Sequence, residues 1–151
     1  MTKTYLLFTA LFLLLLCVPV HAERGAIGAS IKAVDEFYNE TQNLTKDLAD
    51  SPAVKEMRAT PPEQKDAAIK ELKNLNRVNR PGKKRFKQAY GITASYMDAR
   101  IEAVKALPQA SPEDKARINS IVEKLVAFKT EKLNAVKETR RRNGDVRRHE
   151  R

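Results

Sequence analysis

Cysteine is nearly missing from this chain. Of 151 residues only Cys17 is a cysteine, and it lies in an apolar stretch near the start. Everything after it forms no disulfide and must hold its fold by packing and helix propensity. Histidine is almost as scarce: His21 shares that opening stretch and His149 lies close to the other end. This removes the ligands of most zinc sites and the residue type most used as a general base. Tryptophan is absent. No G-x-S-x-G, glycine-rich phosphate loop or H-E-x-x-H pattern occurs. With no recognisable catalytic set, the expected protein is not an enzyme.

What is present begins with a patterned start. Lys3 supplies a positive charge, Tyr5 to Val18 runs almost without polarity, and Pro19 breaks the run. Val20-His21-Ala22 then places small residues where a signal peptidase reads. The apolar run of about 14 residues falls short of the roughly 20 that span a bilayer. Residues 1–22 are therefore expected to be a secretory signal peptide, with a secreted, extracellular mature chain from Glu23 and no membrane span after cleavage. The 129 residues that remain are one domain's worth, enough to bury a core.

Charge is unevenly placed. Glu23 to Lys73 holds 8 basic and 10 acidic residues, whereas Arg77 to Arg151 holds 20 basic and 9 acidic. A basic second half points to a polyanionic partner, which outside cells means an acidic glycan, lipid or protein; no nucleic acid is expected.

Residues 23–30 are small and glycine-bearing and read as a flexible lead-in. Ile31, Val34, Phe37, Tyr38, Thr41, Leu44 and Leu48 recur at helical spacing. They predict a helix from Ile31, capped by Ser30, to about Asp50, with Asn39 and Asn43 opposite its apolar stripe. Asp50-Ser51-Pro52 supplies a stop, a cap and a first-position proline for a short helix to Arg58. Thr60-Pro61-Pro62-Glu63 repeats the device as a capping box, for a helix to about Val78 with Ala68, Ile69, Leu72, Leu75 and Val78 inward. Asn79-Arg80-Pro81-Gly82 breaks the chain.

Phe86, Tyr90, Thr93, Met97, Ile101, Val104 and Leu107 then share a helical face. Gly91 weakens this helix by about 1 kcal/mol and marks a place for a kink. Ser111-Pro112-Glu113-Asp114 starts the last helix, carrying Ile118, Ile121, Val122, Leu125, Phe128, Leu133 and Val136 and ending near Thr139. Arg140 to Arg151, with six arginines and almost no apolar content, reads as a disordered tail. The expected fold class is all-α: a small bundle of four to five helices over 31–139, built as two helical hairpins joined at Asn79 to Gly82.

Four features carry candidate functions. Asn39-Glu40-Thr41 and Asn43-Leu44-Thr45 are glycosylation acceptors in a secreted chain. Two basic clusters, Arg77, Arg80, Lys83, Lys84, Arg85 and Lys87 at the joint and Arg140, Arg141, Arg142, Arg147, Arg148 and Arg151 in the tail, suit sulfate or phosphate. The apolar stripes, with Phe37, Tyr38, Phe86, Tyr90, Met97 and Phe128, form a core or line a pocket for a fatty acid. Asp35, Glu36, Glu40, Asp47 and Asp50 crowd the first helix; such oxygen donors suit calcium or magnesium, although no EF-hand loop is present.

Glu36-Phe37-Tyr38-Asn39 followed by Asn43-Leu44-Thr45-Lys46 resembles the opening helix of the SXP/RAL family of nematode secreted antigens. Ala103-Val104-Lys105-Ala106-Leu107-Pro108, Ser111-Pro112-Glu113-Asp114-Lys115 and Ile118 to Ile121 resemble its second half, where a long helix passes through a proline turn into another. The tryptophan–alanine pair that follows the family's first helix is absent here. The resemblance implies a small, secreted, all-helical antigen associated with divalent-cation binding, and it brings no ligand set to numbered positions. Two other readings stand beside it. One is a helical carrier of fatty acids or other small apolar ligands, similar to the nematode lipid carriers. The other is an interaction protein that docks to a host or extracellular protein or an acidic glycan through its basic half.

Expressed through a eukaryotic secretory pathway, the chain should reach the medium with Glu-Arg-Gly-Ala as its first residues by N-terminal sequencing. A product that keeps Met1 and stays with the membrane fraction would make residues 1–22 an anchor instead.

Overall fold

The computed structural model of the chain describes residues 25–59, 61–77 and 82–149, with the side chains of 61, 62 and 144–149 left aside. The expected signal peptide, Thr60 and most of the joint, 78–81, lie outside the described residues. Five helices follow in order: α1 (Ala26–Thr45), α2 (Pro52–Ala59), α3 (Pro61–Arg77), α4 (Gly82–Lys105) and α5 (Pro112–His149). No strand occurs among the described residues. The fold is an all-α bundle.

Two of the expected starts are built from the expected groups. The Val54 N–H donates to Ser51 Oγ at 3.2 Å, and the Asp114 N–H donates to Ser111 Oγ at 3.1 Å. Each serine satisfies an orphan donor of a first turn, and Pro52 and Pro112 open their helices where a missing N–H is harmless.

Three boundaries differ from the sequence reading. The lead-in is not loose: α1 begins at Ala26, and Ile27, Gly28 and Ser30 are buried. Ser30 does not cap; its hydroxyl donates to the Ala26 carbonyl at 2.9 Å. Small residues let this first turn pack closely against its neighbours, which local sequence cannot reveal. At its other end α1 stops at Thr45 rather than Asp50. There the Arg58 guanidinium donates to the Thr45 carbonyl and satisfies a group left free by the helix end.

The third difference is the tail, which is helix as far as His149. Arginine is a good helix former, and cations are favoured near a helix C-terminus. Arg141 pairs with Glu138 at 3.1 Å one turn back, and the Arg140 guanidinium lies 4.3 Å from the centre of the Phe86 ring. Gly91, by contrast, sits inside an unbroken α4.

The contacts fix the directions of the long helices. Phe37 of α1 meets Phe128 of α5 with ring centres 6.1 Å apart, and Lys132 of α5 pairs with Glu36 at 2.9 Å. On α4, Phe86, Tyr90 and Asp98 face Arg140, Lys137 and Lys129 in reverse order, so α4 and α5 are antiparallel. Lys65 of α3 pairs with Asp35 of α1 at 3.1 Å, while Gln64 of α3 meets Arg100 of α4. Helices α1 and α4 thus run parallel through the centre and touch each other, and α3 and α5 flank them in the opposite sense. Sequential hairpins α1–α3 and α4–α5 both form, and α1 also packs on α5. The core between them holds Val34, Phe37, Leu72, Met97, Val104 and Leu125, all fully buried.

Replacing Phe37 with alanine should remove about 3–5 kcal/mol of stability in denaturant titration, the usual effect of emptying a packed aromatic site. Val126 is 46% exposed, and Val126→Ala should stay within about 0.5 kcal/mol of the parent. Equal losses for the two would contradict the placement of the core.

Candidate binding sites at the basic end and in the α3–α4 groove

The parallel arrangement of α1 and α4 gathers four helix ends in one place. The N-termini of α1 and α4 meet the C-terminal part of α3 and the late turns of α5 around a cavity of about 380 Å³. Gly25, Gly82, Arg85, Phe86, Arg140 and Asn143 are among its walls. The two basic clusters, more than fifty residues apart in sequence, are thereby brought together. Arg140 stacks on Phe86 at 4.3 Å, and one turn away Lys137 lies 5.2 Å from the centre of Tyr90.

These cations differ from those that edge the α1–α3, α1–α5 and α4–α5 seams. Lysines in the helix seams are paired: Lys65 with Asp35, Lys129 with Asp98, Lys132 with Glu36. Hydrogen bonding to Glu36 holds the Lys132 ammonium above its ordinary range. Among the described residues, Arg77, Lys83, Lys84, Arg85, Lys87, Arg140 and Arg142 have no ion pair, and only Arg141 is matched, by Glu138. Helix α4 even opens on Lys83-Lys84-Arg85 with no acid in its first turn, against the positive end of its own dipole. Arg80 lies outside the described residues, and Arg147 and Arg148 are placed on the last turns of α5 without their side chains.

The first-helix carboxylates do not converge. Asp35 pairs with Lys65, Glu36 with Lys32 and Lys132, and Asp50 with Arg58, on different neighbours. No group of three or more acidic, histidine or cysteine side chains able to hold a metal ion occurs among the described residues. Asn39 and Asn43 are both exposed on α1, as a glycan acceptor requires.

A second site lies on the outer side of the α3–α4 pair. It is an open groove of about 640 Å³ walled mainly by Ala67, Ala68, Leu75, Ile92, Tyr96 and Ala99, with Gln64 at one end and the polar Glu71, Gln88 and Ser95 also on its walls. The fatty-acid reading placed the pocket among Phe37, Tyr38, Phe86, Tyr90, Met97 and Phe128, but Phe37 and Met97 are wholly buried in packed core. None of the six lines the groove.

Behind the groove sits a group that sequence reading passed over. Arg100 is only 2% exposed. Its guanidinium donates to Gln64 Oε1 at 3.1 Å, its Nε has no partner, and among the described residues no carboxylate pairs with it. Burial pulls the Arg100 pKa down, and the nearby Tyr96 works in the opposite direction. Tyr96, one turn earlier, is 6% exposed and its hydroxyl also lacks a partner. Burial pushes that hydroxyl well above its ordinary pKa; Arg100 opposes the shift, and Tyr38 and Asp35 add to it. The available signal was register. Positions 86, 90, 93, 97, 100, 104 and 107 alternate by four and three, so Arg100 occupies an inward place in an otherwise core-facing series.

No family model matches the chain, and no curated protein or solved structure matches it either. The SXP/RAL resemblance therefore rests on its short motifs alone.

Above about pH 10, the ordinary tyrosine pKa, the unfolded chain releases the Tyr96 proton while the folded chain keeps it. The folded state then binds more protons, so stability should fall as pH rises from there. Tyr96→Phe should fold at least as firmly at pH 8 and show a shallower fall between pH 9.5 and 11 by thermal melting. An unchanged slope would mean that the Tyr96 hydroxyl reaches water.

Proposed function

We propose that this is a secreted, non-enzymatic helical protein that docks to sulfated or otherwise acidic glycans through the basic end of its bundle. One observation carries the reading: Arg140 on Phe86 at 4.3 Å joins two basic clusters into one surface whose cations, Arg141 apart, have no ion pair among the described residues. A bundle that pairs Lys65, Lys129 and Lys132 in its seams but leaves most cations of this end without an ion pair concentrates positive potential there. A helix start carrying Lys83, Lys84 and Arg85 works against its own dipole, and a bound anion relieves that conflict. Arginine forks match sulfate oxygens in bidentate fashion, which favours sulfate esters over isolated carboxylates. Multiple contacts of this kind release counterions, so affinity depends steeply on salt.

On a heparin column the protein should elute well above physiological salt. Replacing Lys83, Lys84 and Arg85 with glutamine, or Arg140, Arg141 and Arg142 with glutamine, should each move elution to clearly lower salt, because both triplets belong to one surface. Retention that survives either triple replacement unchanged would overturn the single-surface reading, and elution of the parent below physiological salt would overturn the function.

A further inference from the structure

We infer that the α3–α4 groove is a binding site for a small amphiphile with a carboxylate head, the head held by Arg100 and Tyr96 and the alkyl tail lying along Ala68, Leu75 and Ile92. The argument starts from what Arg100 lacks. A buried guanidinium is strongly disfavoured unless it is paired, because the interior replaces the water that would solvate it. Here it has a neutral amide, Gln64, at 3.1 Å, and an idle Nε. Gln64 is also a wall of the groove, so the one partner of Arg100 stands between the charge and the open space. Tyr96 lines the same groove and carries a second idle polar atom one helical turn from Arg100. Two unmatched donors at one end of a mainly apolar groove call for one acceptor that can serve both.

The chemistry of that acceptor follows from the count of charges. At the Gln64 end the site offers one cation, Arg100, and the idle Tyr96 hydroxyl, and Glu71 on the groove wall adds a negative charge, so it matches no more than a single negative charge on the ligand. A planar carboxylate fits the guanidinium fork edge to edge and leaves an oxygen for the tyrosine O–H. To reach Arg100 the head displaces the Gln64 amide, exchanging a neutral hydrogen bond for a charged pair. The rest of the groove runs along both helices and is mainly apolar, with Ala67, Ala68, Leu75, Ile92 and Ala99 on its walls beside the polar Glu71, Gln88 and Ser95. From Gln64 to Leu75 the rise along α3 is about 16 Å, the scale of an extended medium-length alkyl chain. Gly91 leaves the wall open, since a Cβ placed there would meet nothing within 4 Å. This site is separate from the basic end and does not depend on the glycan reading.

The test is calorimetry of the mature chain, residues 23–151, with dodecanoate below its micelle concentration, and with dodecanol as the uncharged match. Dodecanoate should bind one to one, at least about tenfold more tightly than dodecanol, the usual effect of a charge-assisted pair. Arg100→Met keeps the side-chain length and removes the charge. It should weaken dodecanoate at least about tenfold, leave dodecanol unchanged and melt no lower than the parent. Should Arg100→Met not fold, Gly91→Leu serves instead: it favours the helix, fills the groove, and should abolish binding of both ligands. Replacing Arg140, Arg141 and Arg142 with glutamine should leave dodecanoate binding unchanged, which separates the groove from general attraction to a basic protein. No binding of dodecanoate, equal binding of dodecanol, or full binding by Arg100→Met or Gly91→Leu would each overturn the site.

Discussion

The bundle depends on the burial of α1. With a single cysteine, Cys17, in the sequence and so no internal disulfide possible, the seam where Phe37 meets Phe128, 6.1 Å between ring centres, must supply what a staple supplies elsewhere. Helix α1 packs against α3, α4 and α5, so three neighbours register against one apolar stripe. Charged pairs follow that packing rather than cause it. Glu36–Lys132 and Asp35–Lys65 edge the seams at the boundary with solvent, where an ion pair contributes up to about 1 kcal/mol and chiefly fixes which lysine lies over which ring. Lys132 sits 4.6 Å from the centre of Phe128, and Lys65 sits 4.5 Å from the centre of Tyr38.

The same topology sorts the charges. Parallel α1 and α4 put two helix N-termini at one end, and antiparallel α5 returns its arginines to that end. Apart from Arg141, which pairs with Glu138, the cations there have no ion pair among the described residues, while Lys65, Lys129 and Lys132 in the seams are paired. A protein stabilised by its own ion pairs would spread acids among these arginines. Leaving most of them without an ion pair, next to a helix start that disfavours them, is a local conflict of the kind found where a surface serves a partner.

Arg100 is a conflict of a different kind. A charge at an inward helical position, 2% exposed and matched only by an amide, weakens the fold unless something else completes it. The neighbouring Tyr96 hydroxyl repeats the pattern. Both lie on the side of α4 that faces α3, where the packing opens into a groove instead of closing. The two candidate sites thus answer to separate deficits: surplus exposed charge at the end of the bundle, and unmatched buried polarity beside the groove.

Much of the fold is legible in the residues alone. Helix starts at Ser51-Pro52 and Ser111-Pro112 are local chemistry, a hydroxyl that accepts and a ring that needs no donor, so the caps form as the sequence implies. The stripes through Phe37, Leu72, Met97, Val104 and Leu125 are likewise set by spacing, and all five are buried. Boundaries that depend on distant partners were not legible. Ala26 to Ser30 becomes helix because its small residues pack against the bundle, and Arg140 holds helical order with a ring fifty-four positions earlier in the chain. The sequence by itself determined an all-helical chain, its apolar faces and an excess of positive charge, because these arise from residues within a turn or two of each other. Only the tertiary structure decided that the two basic clusters form one surface, that the first-helix carboxylates part company, and that Arg100 lies buried behind a groove. Those outcomes depend on which helix ends meet, and that is settled by packing between segments whose sequences carry no record of one another.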